Sequence, residues 1–587
     1  MDRYPIEELL KNISKIISKY SDLYKILIHK YPSYNNFHKD PLNLQNLLFK
    51  AFNKVFTNPD LMIKYQMSFF KGQLAAIENI YQLVYPDNIF NFDKRFKDNL
   101  WQEHSVFIWL KEAYLTYAEW LESIMNDLPK SDFSSLELKR LHFIIKQFLD
   151  AISPSNFPST NPEVLKTFFD TAGENLSQGL DNLLRDIENS KNALQIRNND
   201  GSKFILGENI AKTEGKIVFQ NEIMQLIHYK PLTKEQYSVP ILIIPPFINK
   251  YYILDLQEEN SFVKWLLEQN YNVFLISWVN PDSSLAQASF VDYMQKGPLA
   301  ALDYLSQTLN IKQVNAMGYC IGGTLLTATI AYMKNLKDNR IKTFSLFTTL
   351  IDFEDAGDLS IFIDETFINE AAQYIEKSGG YVEGKDMSTI FSLLKSNDMI
   401  WPFYINNYLL GKDVFPFDIL YWNEDSTRIP MALHLFCLEK LYKDNLLKQP
   451  NALTINKQKI DVSKIDIPCF SIAAKSDHLV PWSKAFDSAK LLSGPVTFVL
   501  TDSGHVAGMV NPPSKNKYCY WSARNDKKYS TKEWFDNSLE HKGSWWPYWH
   551  NWAKQYSGNL IQAQLPEIIN PNVIESAPGS YVRVREI

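Results

Sequence analysis

The run Gly318-Tyr319-Cys320-Ile321-Gly322-Gly323 constrains the fold of this chain more than any other stretch. A short, mostly apolar run, Val314 to Met317, leads into it, and Thr324-Leu325-Leu326-Thr327-Ala328-Thr329-Ile330-Ala331 follows as a buried helix. A strand that reverses into a helix this abruptly needs glycines, because the backbone turns sharply and the two elements approach closely. The residue at the tip of such a turn is presented outward, and here it is a cysteine. The N–H of Ile321, at the helix start, can point to where negative charge develops on an attacked carbonyl.

A strand, a Gly-x-nucleophile-x-Gly turn and a helix form the nucleophile elbow of the α/β-hydrolase fold, with Cys where Ser usually stands. That fold places an acid and then a histidine on loops after later strands. Ile467 to Ala474 reads as a buried strand, and Asp477 lies just past it in Lys475-Ser476-Asp477-His478-Leu479-Val480-Pro481. Pro495 to Leu500 reads as the next strand, and His505 follows in Asp502-Ser503-Gly504-His505-Val506-Ala507-Gly508. Order and spacing identify Cys320 as nucleophile, His505 as base and Asp477 as acid. After the strand Val239–Ile244 comes Pro245-Pro246-Phe247-Ile248-Asn249-Lys250-Tyr251-Tyr252-Ile253-Leu254-Asp255-Leu256. The corresponding loop supplies the second oxyanion-hole N–H in this fold, here from Phe247 or Ile248 alongside Ile321.

The formal charge of −6 gives no basic field for nucleic acid. Cys320, Cys437, Cys469 and Cys519 are scattered without metal-ligand spacing, so no metal is expected and reduced thiols are the simpler reading. The opening Met1-Asp2-Arg3-Tyr4-Pro5-Ile6-Glu7-Glu8 is acidic where a signal peptide is basic and then apolar. The longest apolar run, Val239–Ile248, is broken by three prolines and is half the length a transmembrane helix needs.

Residues 1–195 read as a helical, aromatic domain, with a turn cluster at Asn198-Asn199-Asp200-Gly201. Residues 196–587 alternate strand and helix. The strands expected are Lys216–Gln220, Met224–Tyr229, Val239–Ile244, Asn272–Trp278, Val314–Met317, Phe344–Leu350, Ile467–Ala473 and Pro495–Leu500. The interval of about 351–466 is too long for an ordinary connection and reads as a helical lid inserted in the catalytic domain.

Cysteine on this scaffold calls for a chemical reason. A thiol that attacks a thioester forms another thioester, so the acyl group stays activated for transfer to an alcohol. Water at about 55 M competes for it, and a positioned hydroxyl prevails because effective molarities can reach about 10⁵ M or more.

These runs, with Ser476–Trp482, Ser503–Gly508, Asn511-Pro512-Pro513, Gly543-Ser544-Trp545-Trp546-Pro547 and the ending Ala577–Val582, resemble those of the polyhydroxyalkanoate synthases, most of all class I. The resemblance extends from about residue 100 to the C-terminus. It implies polymerisation of (R)-3-hydroxyacyl-CoA, foremost 3-hydroxybutyryl-CoA, with release of CoA. Cys320 would carry the growing chain and His505 would activate it. Asp477 would either orient His505 or help deprotonate the incoming 3-hydroxyl. Asp255, His478 and Trp422 are possible supporting residues. No cofactor is implied, since the coenzyme A thioester is the substrate. The family also implies a cytoplasmic homodimer on the surface of polyester granules, with granule-coat proteins as further partners. One departure is Lys395, where the family more often has Arg. A Cys-dependent hydrolase (thioesterase or depolymerase) shares the triad, and a non-catalytic granule protein on the same fold is the remaining alternative.

Overall fold

Alternation of apolar side chains builds the centre of the molecule. In the computed structural model, which describes residues 6–30, 42–83, 93–190, 194–523, 528–570 and 572–585, the strand Ile241–Ile244 sends Leu242 and Ile244 to one core and Ile241 and Ile243 to another. Val273–Trp278 does the same with Phe274 and Ile276 against Val273 and Leu275. A strand buried on both faces reads as continuously apolar and belongs in a parallel sheet covered on both sides.

That sheet has eleven strands. They are β1 (Gly215–Gln220), β2 (Met224–Tyr229), β3 (Ile241–Ile244), β4 (Val273–Trp278), β5 (Val314–Tyr319), β6 (Ile341–Phe347), β7 (Cys469–Ala474), β8 (Val496–Thr501), β9 (Cys519–Ser522), β10 (Leu539–Lys542) and β11 (Glu575–Ser576). Their order is β10-β9-β8-β7-β6-β5-β3-β4-β2-β1-β11. The run β8-β7-β6-β5-β3-β4 is parallel, and the flanking pairs are antiparallel. This is the α/β-hydrolase fold. All eight strands expected from sequence are present in it. The three not foreseen, β9 to β11, are short, and β10 is nearly all exposed, so apolar alternation gives no signal there.

The chain divides into two compact units, residues 1–200 with 389–415, and residues 201–388 with 416–587. The acidic opening through Pro5 lies outside the described residues. The first unit contains α1 (Ile6–Lys30), α2 (Leu44–Phe56), α3 (Pro59–Leu83), α4 (Ser105–Asn126), α5 (Ser135–Ile152), α6 (Pro162–Asp170) and α7 (Glu174–Asn189). Ser134 and Glu137 close a capping box that starts α5, and Asn161 caps α6. Leu47, Val55, Tyr65, Met125, Phe133 and Leu141 form one of its cores.

The single lid expected over 351–466 does not stay in one piece. Its middle, 389–415, packs with the N-terminal helices. The reason is polar as much as apolar. Asn175 and Asn182 on α7 donate to the carbonyls of Leu409 (2.8 Å) and Asn407 (3.1 Å), and Tyr408 donates to Asp186 (2.7 Å). Gly179 abuts the Tyr408 carbonyl, leaving no room for a Cβ. On α5, Asp150 accepts from Ser396 and Asn397, both at 2.7 Å. Helical periodicity carries no sign of such long-range pairing.

Replacing Tyr408 with Phe removes a hydroxyl from a buried carboxylate, a loss of about 1–3 kcal/mol. Amide hydrogen exchange in 401–412 should therefore accelerate by roughly ten- to a hundredfold, while the amides of β3 to β8 keep their protection. Unchanged exchange in 401–412 would show that the segment is held by other contacts.

Candidate active site

The site forms at the C-terminal end of β5. Cys320 follows β5 directly and precedes α8 (Ile321–Asn335), with φ 53° and ψ −127°. This is a left-handed conformation that a side-chain-bearing residue adopts at a cost of about 1–3 kcal/mol. The strain is held by hydrogen bonds. The Cys320 N–H donates to the Phe347 carbonyl (2.8 Å), and its own carbonyl accepts from Gly323 N (2.9 Å) and Thr324 N (3.3 Å). Two glycines make the turn possible. A Cβ on Gly322 would meet the carbonyls of Ile244 and Pro245, and one on Gly323 would collide with Thr349. The contact at Gly322 sets the start of α8 against the end of β3, so the loop holding Phe247 and Ile248 begins beside the elbow. The Ile321 N–H lies in the first turn of α8, where donors have no intrahelical acceptor. Phe247 is buried with its ring edge-on to Tyr293, and Ile248 is half-buried against the same core.

The structure brings Cys320, His505 and Asp477 together. His505 Nδ1 is 2.6 Å from Asp477 Oδ2. Cys320 lies near enough to act on the same ring. The Asp477 side chain is fully buried, and its Oδ1 accepts from Leu479 N and Val480 N, both at 2.9 Å. Burial works against the charged form of His505. The negative charges of Asp477 and Cys320, and the hydrogen bonds to both, outweigh it and hold the imidazole well above its usual range.

The loop carrying His505 is braced from two sides. Tyr319, the residue before Cys320, donates to the His505 carbonyl (3.1 Å), and the two rings stack. Trp545 and Trp546, at the start of α11 (Trp546–Ala553 in chain order after α9, Asp418–Glu424, and α10, Met431–Phe436), donate to the carbonyls of Gly508 (2.9 Å) and Met509 (3.0 Å). Trp549 donates to Ser345 Oγ on β6 (2.9 Å). The near-helical spacing of these tryptophans predicts core packing, which it is, but the indole N–H groups also fix the histidine loop.

The supporting residues have other partners. Asp255 is buried and accepts from Thr213 (2.5 Å) and Ser261 (2.6 Å). Burial pushes its carboxyl up to about 6, against the pull of those hydroxyls. The His478 carbonyl accepts from Asp358 N (3.1 Å) at the start of the insert. Trp422, on α9, is buried and donates to the Lys250 carbonyl (2.7 Å), so its indole serves packing. Sequence reasoning missed Tyr442. It lies in the π-helical turn Cys437–Lys443 that continues α10. Burial, with the nearby charges of Cys320 and Cys437, pushes its phenol well above the usual range. Sequence reasoning gave Tyr319 no role either, although it lies inside the elbow motif. Tyr442 had no local signal.

Residues 92–266 match the family described as poly-beta-hydroxybutyrate polymerase (PhaC) N-terminus, and residues 239–512 match the alpha/beta hydrolase fold. The chain is 40% identical over 494 residues to the poly(3-hydroxyalkanoate) polymerase subunit PhaC of Rhizobium etli, covering 84% of this chain and 77% of that protein. It is 40% identical over 501 residues to the protein of the same name from Rhizobium meliloti, covering 85% and 81%. Against the poly(3-hydroxyalkanoate) polymerase of Methylorubrum extorquens the figures are 38% over 494 residues, 84% and 81%.

The raised His505 has a signed consequence. Its folded-state pKa lies above the unfolded value near 6.5, so its stabilising contribution is complete below about pH 6.5 and is lost as pH rises through the folded value. Asp477→Asn removes the first of the raising charges. Its stability deficit relative to the natural chain in urea titrations should be largest at the low end of pH 6–9 and shrink upward. A deficit that is constant across that range would mean that Asp477 does not set the His505 equilibrium.

Proposed function

The chain belongs to the poly(3-hydroxyalkanoate) polymerase family, and from that premise we propose that it polymerises (R)-3-hydroxyacyl groups, foremost 3-hydroxybutyryl, from their CoA thioesters through an acyl-Cys320 intermediate. It is an enzyme of polyester synthesis. The observation that carries the mechanism is the convergence of a strained cysteine, a histidine and a buried carboxylate, with His505 Nδ1 at 2.6 Å from Asp477.

His505 Nε2 takes the Cys320 thiol proton, and the thiolate attacks the thioester carbonyl. The oxyanion is met by the Ile321 N–H and by that of Phe247 or Ile248. Collapse breaks the C–S bond to CoA, and the departing thiolate takes the proton from His505. In the second half, His505 removes the proton of a 3-hydroxyl, whose oxygen attacks acyl-Cys320. The ester forms, and Cys320 leaves as thiolate and recovers the proton. Asp477 acts through His505 in this scheme. Its complete burial, with one oxygen on His505 and the other on two backbone N–H groups, supports that role over direct contact with the hydroxyl.

A homodimer, attachment to polyester granules in the cytoplasm and contact with granule-coat proteins belong to the same proposal. An exposed apolar row on α3, Ile63, Met67, Phe70, Leu74 and Ile77, supports an assembly role for the N-terminal unit. No helix among the described residues is long and apolar enough to cross a membrane.

The test follows both products, CoA and polymer, from 3-hydroxybutyryl-CoA. Cys320→Ala should release no CoA, and His505→Gln should lose roughly 10³-fold or more in loading. Asp477→Asn should depress loading and elongation together. Polymer from Cys320→Ala would overturn the acyl-cysteine, and free hydroxy acid in place of polymer would make the chain a hydrolase. Normal loading with arrested elongation in Asp477→Asn would move Asp477 to the hydroxyl.

A further inference from the structure

An ammonium group taken out of water must be surrounded by acceptors, or the fold could not hold it charged. Lys250 is such a group, with its side chain 2% exposed, two residues beyond Ile248 in the loop that flanks the elbow. Its Nζ donates to the carbonyls of Val582 (2.7 Å) and Val584 (2.5 Å) in the C-terminal segment and lies 3.8 Å from Asp425 Oδ1. Asp425 follows α9 in the insert and is equally buried. Its Oδ2 accepts from Tyr252 Oη (2.8 Å), and Arg585 Nε lies 3.7 Å from its Oδ1. The Arg585 guanidinium stacks over Tyr421 on α9, 4.4 Å from the ring centroid.

The backbone around Lys250 is held as well. Its carbonyl accepts from Trp422 Nε1, and Asn249 bridges to Ser426 in antiparallel fashion. Asn280, beyond β4, donates to the Val584 carbonyl (3.2 Å) and accepts from Arg428 N (2.9 Å). At the loop's other end the Pro245 carbonyl accepts from Trp278 Nε1 (2.9 Å). Three stretches distant in sequence, 245–252, 418–428 and 582–585, therefore meet on one buried cation.

We infer that Lys250 and Asp425 are positioning residues, which tie the C-terminal segment and α9 to the loop of Phe247 and Ile248 and hold its N–H groups in place for the oxyanion. The inference rests on the acyl-Cys320 reading above. A buried ion pair adds little net stability compared with an apolar replacement, because desolvation offsets the attraction, yet it selects one arrangement of the groups it joins. An oxyanion donor needs such selection, because its contribution depends on a short, aimed hydrogen bond made only in the transition state. The loop has two prolines and irregular backbone, so no strand ladder or helix fixes Phe247 and Ile248 from within. The fixing comes from outside, through Lys250.

The experiment uses the full chain, Lys250→Met, and a chain ending at Tyr581, which loses the acceptors but keeps Lys250. Two rates are read on each: single-turnover CoA release from 3-hydroxybutyryl-CoA, and alkylation of Cys320 by iodoacetamide. Alkylation occurs at a tetrahedral carbon and develops no oxyanion, so it reports the triad and the fold alone. Acylation should fall by about 10²-fold in both variants, through the maximal rate rather than KM, with alkylation at the natural rate. Combining the two changes should slow acylation no further, because both break one link. Acylation at the natural rate in either variant would overturn the inference, and so would alkylation falling in parallel with acylation or additive losses in the combination. Should Lys250→Met fail to fold, Arg585→Ala carries the same test from the half-exposed end of the network, with a smaller drop in acylation expected and none overturning it. A natural chain that alkylates but releases no CoA would overturn the acyl-Cys320 reading and this inference together.

Discussion

The left-handed backbone of Cys320 is the constraint on which the rest of the catalytic unit depends. A cysteine at φ 53° and ψ −127° persists only where its surroundings over-determine it. Here the surroundings are the sheet itself. The Cys320 N–H extends the pairing of β5 with β6 by one residue, onto Phe347, and Gly322 is pressed against the end of β3. The strain is thus borne by the three central strands. One turn fixes both Cys320 and the start of α8.

The histidine has no such scaffold, because its loop leaves β8 and is irregular from Asp502 onward. Its position comes from side chains that reach in. Tyr319 holds the His505 carbonyl from the elbow, Trp545 and Trp546 hold the loop's far end, and Asp477 fixes the ring. Each indole is buried and places its N–H on a carbonyl, so packing and positioning come from the same residue.

What the sequence made legible is what local chemistry dictates. Gly-x-Cys-x-Gly between an apolar run and a helix has one good solution, and the acid and histidine followed in order on the loops after β7 and β8. The doubly buried strands read as apolar runs for the same reason. The short strands β9 to β11 were not legible: the edge strand Leu539–Lys542 has no buried face, and Cys519–Ser522 and Glu575–Ser576 are too short for alternation to show. Neither was the transfer of 389–415 to the N-terminal helices, which turns on pairs such as Tyr408 with Asp186 that lie 222 residues apart. Tyr442 is a third case. Its approach to Cys320 depends on the path of the insert, which no periodicity encodes.

In the proposed reaction one imidazole must serve two nucleophiles of unequal acidity. The first nucleophile is a thiol, and its proton ends on another thiolate, that of CoA. The second nucleophile is an alcohol, a far weaker acid, and needs the stronger base. His505 is held basic by two charges, those of Asp477 and Cys320. Acylation neutralises the second of them. At the moment when the hydroxyl must be deprotonated, Asp477 alone keeps the imidazole basic. A carboxylate that is fully buried and held by Leu479 N and Val480 N is suited to that task, because it stays in place whether or not Cys320 carries a chain. In the proposed reaction Asp477 therefore bears on both halves, loading and elongation, and acts only through His505.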